Sequence, residues 1–123
     1  MKLQPDAAQN LNTVTRYGPG FIEINHLSHP TSIWVMPEGP ITPWPVSRFE
    51  DLTSADFAQM ASLQPQVIIF GSGHRIRFPK PELLAPLFAA KIGIETMDLQ
   101  AACRTYNILM AEGRQVLGAF LID

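Results

Sequence analysis

Across residues 67–121 short apolar runs alternate with helix-length segments, and no other feature of the chain restricts its fold as much. Val67-Ile68-Ile69-Phe70 is apolar throughout, as a strand covered on both faces requires. Ile94-Glu95-Thr96-Met97 and Val116-Leu117-Gly118-Ala119-Phe120-Leu121 are the next two strand-length runs. Residues 81–91 form the first intervening helix. Pro81 suits its opening turn, Pro86 is expected to kink it, and Gly93 to end it. Residues 99–112 form the second, with Asp98 as N-cap and Gly113 just past the end. Alternation of this kind belongs to βαβ units and by itself predicts a parallel sheet.

The first half reads differently. Thr13-Val14-Thr15-Arg16-Tyr17 and Phe21-Ile22-Glu23-Ile24-Asn25 are rich in β-branched and aromatic residues, and Gly18-Pro19-Gly20 between them makes a hairpin turn. A loop over residues 26–30 leads to a third strand, Ser32-Ile33-Trp34-Val35-Met36. Pro37, Pro40, Pro43 and Pro45 then confine the chain to a sheet edge or an irregular loop, because proline has no ladder donor. Thr53 with Asp56 three positions on marks a helix start; Phe57, Met60, Ala61 and Leu63 supply its apolar side, and it should stop before Pro65. Residues 1–10 are polar and aperiodic and are expected to fray, leaving residues 11–123 as one domain.

Bulk properties narrow the function. With 123 residues, 46% of them hydrophobic and 16% charged, the chain can build a core without disulfides or metals. A net charge of -2 offers no long-range attraction to phosphate backbones or anionic membranes, so neither nucleic-acid binding nor membrane insertion is expected. The opening residues lack a secretory apolar stretch, and the longest apolar segment, residues 83–90, is interrupted by Pro86 and too short to span a bilayer. A soluble cytoplasmic protein is the expectation. Cys103 is the single cysteine and can form no disulfide within the chain.

Gly93-Ile94-Glu95-Thr96-Met97-Asp98, Ala101-Ala102-Cys103-Arg104-Thr105-Tyr106-Asn107 and Glu112-Gly113-Arg114, with a Gly71-Ser72-Gly73 turn after an apolar strand, carry a family resemblance. They resemble the family of unknown-function domains that includes the mitochondrial complex I assembly factor 3 and an adipogenesis-associated Mth-type domain protein. The resemblance implies a three-layer α/β sandwich with a mixed central sheet and an N-terminal β portion. It implies a binding or assembly role with an unidentified protein partner, no established enzyme activity and no cofactor.

Candidate sites follow from residue chemistry. Gly71-Ser72-Gly73 ends a strand, where open α/β sheets place ligands and successive backbone N–H groups can cradle an anion; His74, Arg75, Arg77 and Lys80 come next. Position 76 is isoleucine where a dinucleotide fingerprint has its third glycine, and no Walker Lys-Ser/Thr pair follows, so the alternative is a tight turn with a solvated basic loop. If the two loops after the apolar strands lie side by side, Asp98 and its helix start face that turn across a cleft, with Arg104 either on an anion or a partner's carboxylate or bridging to a backbone carbonyl or to Glu112. Cys103 shares a stripe with Leu99, Ala102, Tyr106, Leu109 and Met110; it is an inert core thiol or, with His74 as base, a nucleophile. Ala101, Ile108 and Ala111 give the opposite side an apolar character that suits a partner surface or cover by the N-terminal β portion. Trp44, framed by prolines, is either a second partner contact or the anchor of its loop. His26 and His29 have a ligand-like spacing but no third ligand in sequence.

Overall fold

A computed structural model describes residues 11–123; the segment expected to fray, 1–10, lies outside the described residues. Three strands, β1 (Val14–Gly18), β2 (Phe21–Ile24) and β3 (Leu27–His29), form an antiparallel sheet in that order. The second sheet has the order β5-β4-β8-β6-β7, from β4 (Ile33–Val35), β5 (Thr42–Pro43), β6 (Val67–Gly71), β7 (Gly93–Met97) and β8 (Val116–Phe120). Within it β8, β6 and β7 run parallel, whereas β4 pairs antiparallel with both β8 and β5. The sheet is therefore mixed. The β6-to-β8 alternation describes its parallel part correctly, but β4 enters from the first half of the chain and reverses the direction.

Alternate residues on these strands serve two cores. Ile69, Val116 and Phe120 face the helix α3 (Leu99–Ala111) together with Val14, Ile22 and Ile24 of the small sheet. Ile68, Phe70, Leu117, Ala119 and Leu121 face the opposite side, where α1 (Ser54–Ser62) brings Phe57 and Met60 and α2 (Ala85–Ala90) brings Leu87. The result is three layers. A capping box between Thr53 and Asp56 opens α1, and Asp98 accepts from the Ala101 N–H to open α3.

Several elements differ from the sequence reading. Residues 27–29, expected in a loop, are strand β3, because Asn25 (φ 49) and His26 (φ 71) turn the chain between Ile24 and Leu27. Two left-handed residues in a two-residue connection match the twist of hairpin strands, and neither is the glycine that usually signals it. Residues 81–91 are not one kinked helix. A 3-10 turn, Pro81–Leu84, precedes α2, and Pro86 lies in the first turn of α2, where its missing N–H costs no hydrogen bond. Lys91, with φ 59, ends that helix, while Gly93 already belongs to β7. Trp44 is 3% exposed and packs against Trp34 and Phe70, so the loop points it into the core; it is an anchor and not a partner contact.

The small sheet is bolted to α3 by polar side chains. Asn107 accepts from the Val14 N–H at 2.9 Å and donates to the Val14 carbonyl at 2.8 Å, and the Tyr106 hydroxyl donates to the Asn12 carbonyl at 2.8 Å. Asn107→Ala removes both Asn107 bonds and leaves two half-buried backbone groups without partners. It is expected to lower unfolding free energy by about 2 kcal/mol in urea titrations, with the amides of β1 losing hydrogen-exchange protection first.

Candidate functional site

Strands β6, β7 and β8 are parallel, so their C-terminal ends emerge together. The ladder continues past the strands: Leu121 N–H donates to the Gly71 carbonyl at 2.9 Å, Ser72 N–H to Met97 at 2.9 Å, and Leu99 N–H to Gly73 at 2.8 Å. The Gly71-Ser72-Gly73 turn and Asp98 do meet, as the sequence suggests. Gly71 is needed where it stands because a Cβ there would lie 2.9 Å from that of Ala102 in α3. Gly73 adopts φ +98, and a side chain there would collide with Arg77 and Asp123.

Asp123 decides the chemistry of the turn. One of its carboxylate oxygens accepts from the His74 N–H at 3.2 Å, and the other lies 2.7 Å from His74 Nδ1 and 2.6 Å from Arg77 Nη2. The groups that could cradle an external anion thus hold one of the chain's own carboxylates. Burial alone would raise the Asp123 pKa, but the hydrogen bonds from His74 and Arg77 outweigh it and hold the carboxyl below its ordinary value. Ser72 is fully buried and its hydroxyl is engaged within the loop, lying 2.8 Å from the Arg75 carbonyl and accepting from the Arg77 N–H at 2.9 Å.

Beside this cluster lies a cavity of about 510 Å³. The hairpin tip, Tyr17 with Gly18-Pro19-Gly20, forms one wall; Gly73, His74 and Asp123 form another, and Asp98, Leu99 and Gln100 at the head of α3 close it. Of the cleft residues proposed from sequence, Gly73, His74 and Asp98 line it. Gly71 and Ser72 are covered by the packing beneath, and Arg104 lies one layer away, donating to the Tyr17 hydroxyl at 3.3 Å. Tyr17 and Asp123 escape a sequence reading. They reach the cavity only through sheet-to-helix docking and the β6–β8 pairing, and neither leaves a local motif.

Cys103 has the setting of a core thiol: it is fully buried, burial pushes its thiol up to about 12 despite the opposing influence of Arg104, and His74 is engaged with Asp123. On the outer side of α3 Ile108 is 58% exposed, Ala111 is exposed and Ala101 is half-buried. Strand β1 meets α3 at Asn107, which holds Val14, and at Arg104, which donates to the Tyr17 hydroxyl, and it leaves Ile108 exposed. His26 approaches Glu23 at 3.8 Å, and among the described residues no three His, Cys, Asp or Glu side chains are arranged to hold a metal.

One apolar feature was hidden in the basic loop. Ile76 is 50% and Phe78 69% exposed, although Pro79 beside them is buried and Arg77 between them is tied to Asp123 and stacked 5.1 Å over the Phe49 ring. The alternation of apolar and basic residues from His74 to Lys80 is visible in the sequence; reading only the charges misses it.

A family model described as protein of unknown function (DUF498/DUF598) matches residues 14–121. The human NADH dehydrogenase (ubiquinone) 1 alpha subcomplex assembly factor 3 is 31% identical over 98% of this chain and 65% of its own length. Its bovine counterpart is 33% identical over 67% of this chain and 45% of its own length, so the chain spans about half to two thirds of these relatives. Among solved structures, a Bordetella parapertussis protein is 50% identical with a TM-score of 0.87, covering 92% of this chain and 97% of that one. A Bordetella pertussis protein described as a Mth938-like domain is 42% identical with a TM-score of 0.84, covering 100% and 93%.

The Asp123 contacts have a pH signature. A carboxylate with a depressed folded pKa contributes stability above its unfolded pKa and loses it as pH falls through the folded value. The melting temperature of the wild type is expected to exceed that of Asp123→Asn at neutral pH, and the gap to close on acidification below about pH 4. A constant gap across that range would show that Asp123 holds the turn by shape and not by charge.

Proposed function

The chain belongs to the family described as protein of unknown function (DUF498/DUF598), and we propose that it acts as a non-catalytic protein-binding domain of the kind used by assembly factors. The observation that carries this reading is the loop after β6, whose backbone is fastened on one side while Ile76 and Phe78 are held toward solvent on the other. Exposed apolar side chains on a fixed backbone are the usual anchors of protein contacts. Support comes from the relatives that bear the name of a complex I assembly factor, and from Ile108, which gives the outer face of α3 a second apolar point. A cytoplasmic setting is part of the proposal; no helix among the described residues is long and apolar enough to cross a membrane.

In co-purification of the tagged full chain from extract of its source organism, Ile76→Asp and Phe78→Asp are each expected to abolish recovery of partner proteins. Ile108→Asp measures what the helix face adds. Unchanged recovery with both loop variants would sink the reading.

The cavity favours a second reading, a small-ligand binder, since it opens at the C-terminal ends of three parallel strands. An anion entering there competes with Asp123 for His74 and Arg77. Thermal-shift screening with phosphorylated metabolites should therefore respond more strongly in Asp123→Asn than in the wild type, and a ligand at a hundred times its Kd for the variant should stabilise the variant by about 2.7 kcal/mol. Flat curves in both proteins would remove it.

A further inference from the structure

We infer that the loop of residues 74–80 docks into a protein partner's apolar slot bordered by carboxylates, with Phe78 and Ile76 as the inserted anchors and Arg75 and Lys80 as the charges that select it. The inference rests on the binding role proposed above and adds the chemistry of the partner.

The charge accounting of the loop points outward. Residues 74–80 contain Arg75, Arg77 and Lys80 and no acid, within a chain of net charge -2. Asp123 neutralises Arg77 at 2.6 Å and is also held by His74, so the carboxylate nearest the loop is already committed. Glu50, beside the Phe49 ring on which Arg77 stacks, is turned to Arg48 at 3.7 Å. Arg75 and Lys80 are exposed and have no ion-pair partner within 4 Å among the described residues. Two cations without an ion-pair partner among the described residues therefore flank two exposed apolar side chains on one short segment.

The loop is also prearranged. The Ser72 hydroxyl bonds to both Arg75 and Arg77 backbones, the Arg77 guanidinium bonds back to the Ser72 carbonyl, and Pro79 is buried. A segment whose backbone is already ordered pays less conformational entropy on docking, so less of the apolar contact of Phe78 is offset by that cost. The rim charges act on association rate and choice of partner: a slot bordered by carboxylates attracts Arg75 and Lys80, and one bordered by lysines repels them. Two cations with an isoleucine and a phenylalanine between them are too few and too apolar for a phosphate-backbone footprint.

The test places a photo-crosslinker, benzoylphenylalanine, at position 78 of the full chain in extract of the source organism, and identifies the captured peptide by mass spectrometry. The expected product is a protein segment in which apolar residues are interspersed with Asp or Glu. Its yield should fall about tenfold when Arg75→Glu and Lys80→Glu are combined. Capture of a protein segment without carboxylates, or a yield that charge reversal leaves unchanged, overturns the inference while the binding role stands. Capture of lipid or nucleic acid overturns both. So does a yield no higher than that of the same probe at exposed position 115.

Discussion

The close approach of α3 to the parallel strands is the contact on which the remaining structure depends. Two side chains are absent where the helix crosses: a Cβ at Gly71 would press on Ala102, and one at Gly118 would lie 3.1 Å from the Tyr106 ring. With that space cleared, Ala102, Cys103 and Tyr106 sink onto β6 and β8, and Tyr106 meets Phe120 edge to face at 5.9 Å. Depth of burial explains the silence of Cys103. A thiol placed to fill this interface is neither ionised nor reachable, so its value is volume, not reactivity.

The same helix carries the second layer. Asn107 and Tyr106 hold β1 and the preceding residues against α3, and this docking brings the Gly18-Pro19-Gly20 tip over the ends of the parallel strands. The cavity is thus a product of two packing events, helix on sheet and sheet on helix. Its walls come from segments far apart in the chain, with Tyr17 at one side and Asp123 at the other.

Asp123 ties this architecture to the outward-facing loop. By holding His74 and Arg77, one carboxylate converts what would be an anion cradle into a fastening point, and the fastened loop then presents Ile76 and Phe78. The proposed binding role and a rigid turn go together: a loop that displays apolar side chains without collapsing over them needs its backbone satisfied from within. The charged groups of the turn are occupied by one another, which leaves the more distant Arg75 and Lys80 as the electrostatic face of the loop.

Read alone, the chain determined what is local. Apolar runs announced β6 and β8, and the strand-length segment from Ile94 to Met97 announced β7; Thr53 with Asp56, and Asp98, announced the starts of α1 and α3; and the stripe through Cys103 and Tyr106 announced the buried side of α3. Each of these follows from side-chain period or capping chemistry within a few residues. Only the tertiary structure decided the direction of β4 beside β8, the burial of Trp44, the pairing of Asp123 with residues 46 and 49 positions earlier, and the covering of one side of α3 by β1. Those depend on which distant surfaces exclude water from one another, and a hydrogen bond or an ion pair between remote residues leaves no periodic trace in the order of the amino acids.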